Sequence, residues 1–213
     1  KDVLTMVSEL DGEIITLVPA TVGKVVPDGT EAEEWKWVVD ATRECFTHAK
    51  KVGVKIAVEP LNRFETYLFN RGEQAMALAD AVSPECGICL DAYHIHMEEF
   101  DVEEAIRKAG KRLFDFHVAD NNRFAAGLGT IDWKKLVGIL RDVGYDGALT
   151  NEFVAPVDRT PANRYPEMVE RNPVDISPEQ LKFIQDHGSS VLTEKFYTDQ
   201  MRITAETLLP LIK

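Results

Sequence analysis

The sequence predicts an α/β fold of the (β/α)8 barrel type, and three observations predict it. Short apolar runs alternate with helical patterns along the chain, the runs are hydrophobic at consecutive positions, and four successive runs carry a carboxylate or an imidazole near their C-terminal end. Strand and helix alternating at this spacing make βα units and a parallel sheet. Continuous hydrophobicity implies strands buried on both faces. Polar tips on successive strands converge at the mouth of a barrel, whereas an open sheet would spread them along an edge. No G-x-G-x-x-G follows any strand, so a dinucleotide fold lacks its main support.

The expected strands are IITLV (14–18), VKIAVE (54–59), GICLD (87–91), LFDFHVAD (113–120) and GALTNEF (147–153). Thr30 and Glu33 form a capping box before a long helix with apolar Trp35, Val38, Val39, Cys45 and Phe46, which Gly53 ends. Residues 71–82 form a shorter, weaker helix. Asp101 with Glu104 opens the next, closed by Gly110, and Asp132 opens WKKLVGILRDV, closed by Gly144. Trp35 and Trp37 read as core or interface, Trp133 as packing at a helix start, and Pro19 as the start of a loop over the mouth. The first residues read as the end of a helix. A closed barrel needs eight strands and only five are evident. The expectation is a single domain over 1–213 that is the C-terminal portion of a longer barrel, missing about three N-terminal βα units. Residues 155–188, rich in proline and charge, are expected as a long loop or arm, with a helix start at Ser177-Pro178-Glu179-Gln180, before a final helix over about 189–213.

Composition narrows the partners. The 213 residues are 45% hydrophobic and 28% charged, ordinary for a globular protein. A net charge of −12 argues against nucleic acid or an anionic membrane, which would repel such a surface. No apolar stretch approaches the ~20 residues that span a bilayer, and no secretory leader is evident. Three cysteines suggest no disulfide framework and therefore a reducing cytoplasm. Cys86 and Cys89 form a C-x-x-C inside an apolar run with no second pair, which reads as core thiols.

The strand-tip residues are Glu59, Asp91, His117 and Glu152. Each alone reads as a helix cap, a solvated group or a structural histidine. Four on successive strands make a hard, oxygen-rich donor set that suits Mn²⁺ or Mg²⁺, with Co²⁺ also accommodated. VEPLNRFE (58–65), CLDAYHIHMEE (89–99), HVADNNR (117–123) and NEFV (151–154) resemble the corresponding segments of the ketose 3-epimerases, the D-tagatose and D-psicose (allulose) 3-epimerase group of the xylose-isomerase-like barrel superfamily. The likeness spans about residues 14–154 and rests most on NRFE after a glutamate and on LD-x-x-H.

The resemblance implies that Glu59, Asp91, His117 and Glu152 bind the metal, Mn²⁺ first among candidates. It implies substrate contacts from Glu65, His94 and Arg123, with a dimer or tetramer as the assembly. It also implies that Glu59 and Glu152 are the catalytic acid/base pair. The chemistry agrees with such a pair, because epimerising C3 of a free ketose through a metal-stabilised cis-enediolate requires proton transfer on both faces of that carbon. His94 reads equally as a group that orients Asp91. His48, His96 and His187 read as structural or exposed, and the GLG of 127–129 as scaffold, not a phosphate loop.

Other readings share the metal set: an aldose–ketose isomerase or a dehydratase of the same superfamily, or a degenerate barrel that binds metal without turnover. The superfamily's DNA-repair endonucleases need further zinc ligands, including a D-x-H after the seventh strand. No D-x-H is expected anywhere in the chain, and the charge opposes DNA.

Overall fold

A computed structural model describes residues 1–23, 26–154, 177–179 and 194–212. Five strands form one all-parallel sheet in the order β1 (Ile14–Leu17), β2 (Lys55–Val58), β3 (Gly87–Asp91), β4 (Leu113–Val118) and β5 (Leu149–Asn151). Helix α1 (Asp2–Glu9) precedes β1. Between strands lie α2 (Glu31–Val52), α3 (Gly72–Val82), α4 (Ala92–Glu98), α5 (Val102–Ala109), a 3₁₀ turn (Gly110–Arg112) and α6 (Trp133–Asp142). The final helix, α7 (Glu194–Ile212), packs beside α6. Sequential strand order with helical crossovers is the pattern of consecutive barrel staves.

The expected caps close as hydrogen bonds. Thr30 Oγ1 accepts from Glu33 N while Glu33 Oε2 accepts from Thr30 N, and Gly53 takes the left-handed conformation (φ 77°) that ends α2. Asp101 caps α5 and Asp132 caps α6. Helix α4 begins on the strand residue Asp91 itself and was not expected. In α2, Glu34, Val38, Val39, Thr42 and Ala49 are buried while Trp35 and Trp37 are exposed, so the tryptophans are not core residues. Trp133 is buried at the start of α6, as expected. Pro19 lines a cavity of about 480 Å³ between the end of β1 and α2, with Glu34, Trp37 and Tyr67, apart from the strand-tip cluster. Of the expected arm over 155–188, only Ser177, Pro178 and Glu179 are described, the last two helical. His187 and the start of the expected final helix also lie outside the described residues.

Strand side chains alternate between the two faces of a sheet. Ile56, Val58, Ile88, Leu90, Leu113, Phe116 and Val118 belong to the core under the helices. The alternate positions face the concave side: Ala57 and Glu59, Cys89 and Asp91, Asp115 and His117, Thr150 and Glu152. The register of β3 against β4 steps by one residue, from Ile88↔Leu113 to Cys89↔Asp115, so Phe114 has no partner in the ladder. That step puts Asp115 beside Cys89 and His117 beside Asp91. The concave face therefore carries two polar layers.

Candidate metal centre

The upper layer is the strand-tip quartet. Glu59 follows β2 directly, Asp91 ends β3, His117 is the penultimate residue of β4, and Glu152 follows β5. One donor atom from each lies within 4.8 Å of the others. His117 Nδ1 sits 3.0 Å from both Glu59 Oε1 and Glu152 Oε2. Arg123 forms an ion pair with Asp91 and lies 3.4 Å from Glu152 Oε2, its guanidinium 4.5 Å above the Tyr93 ring.

Electrostatics follow from crowding acids in a dry place. Burial pushes the Glu59 carboxyl up against the pull of His117. Burial also drives Asp91 up, and its hydrogen bond with Glu152 adds to this in spite of Arg123. Glu152, although burial disfavours its charge, is held down to about 2 by His117 and Asp91. For His117 burial favours the neutral ring, but Asp115, Cys89, Glu152 and Glu59 outweigh it and raise its pKa. Such a set calls for a cation. Glu59 Oε1 makes the test specific: His117 Nδ1 lies 3.0 Å away, but among the described residues no donor is aligned to give this buried oxygen a well-formed hydrogen bond. A buried carboxylate oxygen without an aligned donor, grouped with one donor atom from each of Asp91, His117 and Glu152, fits a divalent ion.

The three expected substrate contacts occupy different depths. Glu65 is partly exposed on the loop after β2, and Asn62 Nδ2 donates to its Oε1 at 2.9 Å. The loop is fixed to α4 where Glu98 accepts from the Arg63 backbone and guanidinium. His94 is fully buried. Its Nδ1 accepts from Asn62 N at 3.1 Å, and its Nε2 lies 3.5 Å from Asp91 Oδ2 and 3.4 Å from Arg123 Nη2. Burial and then Arg123 lower its pKa to about 3, so the ring is neutral. Arg123 has φ 66°, uncommon for a side-chain-bearing residue, and is held there by its own amide donating to Asp120 O and its carbonyl accepting from Val154 N.

Four contributors were missed from sequence. Asp115 Oδ2 lies 3.4 Å from His117 Nε2 while its other oxygen accepts from Thr150 Oγ1, the arrangement that orients a metal-binding histidine. Contrary to the expectation that the chain has no D-x-H, Asp115-Phe116-His117 is one, lying within β4 and not after it; the i, i+2 spacing was the signal. Asn62 braces both His94 and Glu65, and Tyr93 carries Arg123. Asp120, fully buried, accepts from Gly127 N, Ile131 N, Asn121 N and Trp133 Nε1 and so folds the loop that holds Arg123. The other two histidines among the described residues are structural: His48 pairs with Thr5 and His96 with Ala92 O.

The family model described as the xylose isomerase-like TIM barrel matches residues 1–187. The chain belongs to this family. Among curated proteins, D-psicose 3-epimerase of Enterocloster bolteae is 38% identical over 111 residues, 52% of this chain and 37% of that protein. The D-psicose 3-epimerase of Ruminiclostridium cellulolyticum is 34% identical over 120 residues, 56% of this chain and 41% of that one. The chain thus spans about two-fifths of the length of these relatives. A crystal structure of D-allulose 3-epimerase from Methylomonas sp. superposes with TM-score 0.66 at 27% identity, covering 87% of this chain and 68% of that one. A 3-keto-D-glucoside 4-epimerase from E. coli does so with TM-score 0.68 at 26% identity, covering 78% and 66%. Among the described residues no helix is long and apolar enough to cross a membrane.

Proposed function

We propose that this chain carries the metal site and acid/base pair of a sugar epimerase acting at C3 of a free ketose. The observation that carries the reading is the convergence of Glu59, Asp91, His117 and Glu152 beside Arg123, in a chain whose curated relatives are named for that activity. A divalent cation held by the four, Mn²⁺ first, supplies the Lewis acidity that makes the C3 proton removable.

The residues divide the remaining work. Glu59 and Glu152 arrive from β2 and β5, with β3 and β4 between them, and so can flank a substrate carbon. One takes the C3 proton, and the C–H electron pair passes into the carbonyl to give an enediolate. The other delivers a proton to the opposite face, and the carbonyl re-forms. Arg123 faces charge that develops on the sugar oxygens. Glu65, braced by Asn62, accepts a sugar hydroxyl. His94, enclosed and turned toward Asp91, acts by fixing that carboxylate. A cytoplasmic dimer or tetramer belongs to the same proposal, and light scattering on the full-length protein tests the assembly.

Incubating the full-length protein with Mn²⁺ and a panel of ketoses in D₂O tests the chemistry. Deuterium should enter at C3. Entry at C1 or C2 of an aldose–ketose pair would move the reading to an isomerase, and entry at C4 to the reaction named for the E. coli neighbour. Glu152→Gln should abolish exchange; near-normal exchange in that variant removes Glu152 from the acid/base pair.

A further inference from the structure

Cys86 and Cys89 read alike in the sequence, but the structure separates them. Cys86 lies with the core under the helices, its Sγ 3.9 Å from the Ile56 and Gly87 carbonyls. Cys89 faces the other way, into the concave side, two residues before Asp91 and in register with Asp115. There its sulfur joins Glu59 and His117 as a second group of potential ligands, again with one donor atom from each within 4.8 Å of the others. All three residues are buried, and Glu59 Oε1, 3.0 Å from His117 Nδ1, has no aligned hydrogen-bond donor among the described residues.

We propose that Glu59, Cys89 and His117 form a second, softer coordination site one layer below the strand-tip quartet, which a thiophilic divalent ion such as Zn²⁺ or Cd²⁺ takes in place of the quartet. Thiolate, imidazole and carboxylate are the usual zinc donors, three of them leaving a fourth position open. A hard ion such as Mn²⁺ gains little from sulfur and stays with the oxygen-rich upper set. Because Glu59 and His117 belong to both groups, the two sites exclude each other. Binding in the lower site releases the Cys89 thiol proton to water and forms a metal–sulfur bond, with no change of oxidation state. It also withdraws Glu59 from the mouth. Thiophilic ions should therefore act as antagonists of the Mn²⁺ form and not as substitutes for it.

The inference borrows Glu59 and His117 from the proposed metal site, but its readout needs no sugar. Cd²⁺ is titrated into the metal-free, full-length protein while the thiolate-to-cadmium charge-transfer absorption is followed. Wild type and Cys86→Ala should develop the band. Cys89→Ser should lose it and bind Cd²⁺ at least about 100-fold more weakly, the upper end of the cost of losing even an outer-shell partner. A band that survives Cys89→Ser, or Cd²⁺ binding to wild type with no band, overturns the proposal. Should Cys89→Ser not fold, the wild type still decides. Zn²⁺ added to the Mn²⁺-loaded protein should release free Mn²⁺, seen by electron paramagnetic resonance, and both ions bound together would disprove the exclusion. Absence of the charge-transfer band alongside intact C3 exchange with Mn²⁺ would reject the soft site and leave the epimerase reading standing.

Discussion

At the scale of single residues, the centre depends on what stands behind each donor. Asp115 is the clearest case, because its carboxylate faces His117 Nε2 while Thr150 holds its other oxygen. Asp115→Asn keeps the shape but removes the charge. It should weaken Mn²⁺ binding by about 10–100-fold with little change in the fold, measurable by calorimetric titration and circular dichroism. Unchanged affinity would mean that the ring is oriented by other contacts. This support was legible in principle from the i, i+2 spacing of Asp115 and His117. It was missed because LFDFHV was read as a continuous apolar strand, although its register step hides Phe114 from the alternation. Tyr93 and Asn62 left no comparable trace, since their contacts depend on how α4 and the loop after β2 approach each other.

At the scale of elements, the loop from β4 to α6 shows how a scaffold fixes the Arg123 side chain beside the strand tips. Asp120 gathers four donors, and Gly129 leaves the space it needs: a Cβ there would sit 2.1 Å from Asp120 Oδ1. Gly129→Ala should destabilise the protein by about 1–3 kcal/mol, as overpacking does, in denaturant titration. Asp120 also gives a pH signature. Burial opposes its charge, but hydrogen bonds from Trp133, Gly127, Ile131 and Asn121 prevail and hold its pKa below the usual 3.8. A depressed folded pKa means stability that is present above the unfolded value and lost as pH falls through the folded one. The stability gap between wild type and Asp120→Asn should therefore be full near neutrality and shrink below about pH 4. A gap independent of pH would refute this. Cap chemistry made α2, α5 and α6 readable in advance, because Thr30, Asp101 and Asp132 sit where helix starts need an acceptor. Helix α4 escaped because its cap, Asp91, had been assigned wholly to the strand. The packing of α7 was equally hidden: Gln200 accepts from Ala125 N, and Phe196 meets Phe124 and Phe153 across long sequence separations.

At the scale of the molecule, the concave face concentrates carboxylates in a chain whose net charge is already −12. A divalent ion bound only by the folded state should raise stability, by ~2.7 kcal/mol at 100 times its Kd. Thermal unfolding with and without Mn²⁺ should show the shift, EDTA should reverse it, and Glu59→Gln should largely remove it. No shift in wild type would count against the metal site. The barrel architecture was visible in the sequence because each strand presents its apolar edge to the helices, whereas the layering of the inner face required the strand register. One contact joins that inner face to the outer shell. Asp91 uses Oδ1 to accept from the Tyr93 amide at 2.8 Å while Oδ2 points toward Arg123 and His94. A single carboxylate thus serves as helix anchor and as a donor of the proposed metal site, where a cation on one oxygen would restrain the plane of the other. The Tyr93 amide becomes a built-in reporter: its hydrogen–deuterium exchange should slow when the ion arrives, registering occupancy from the backbone before any sugar is turned over.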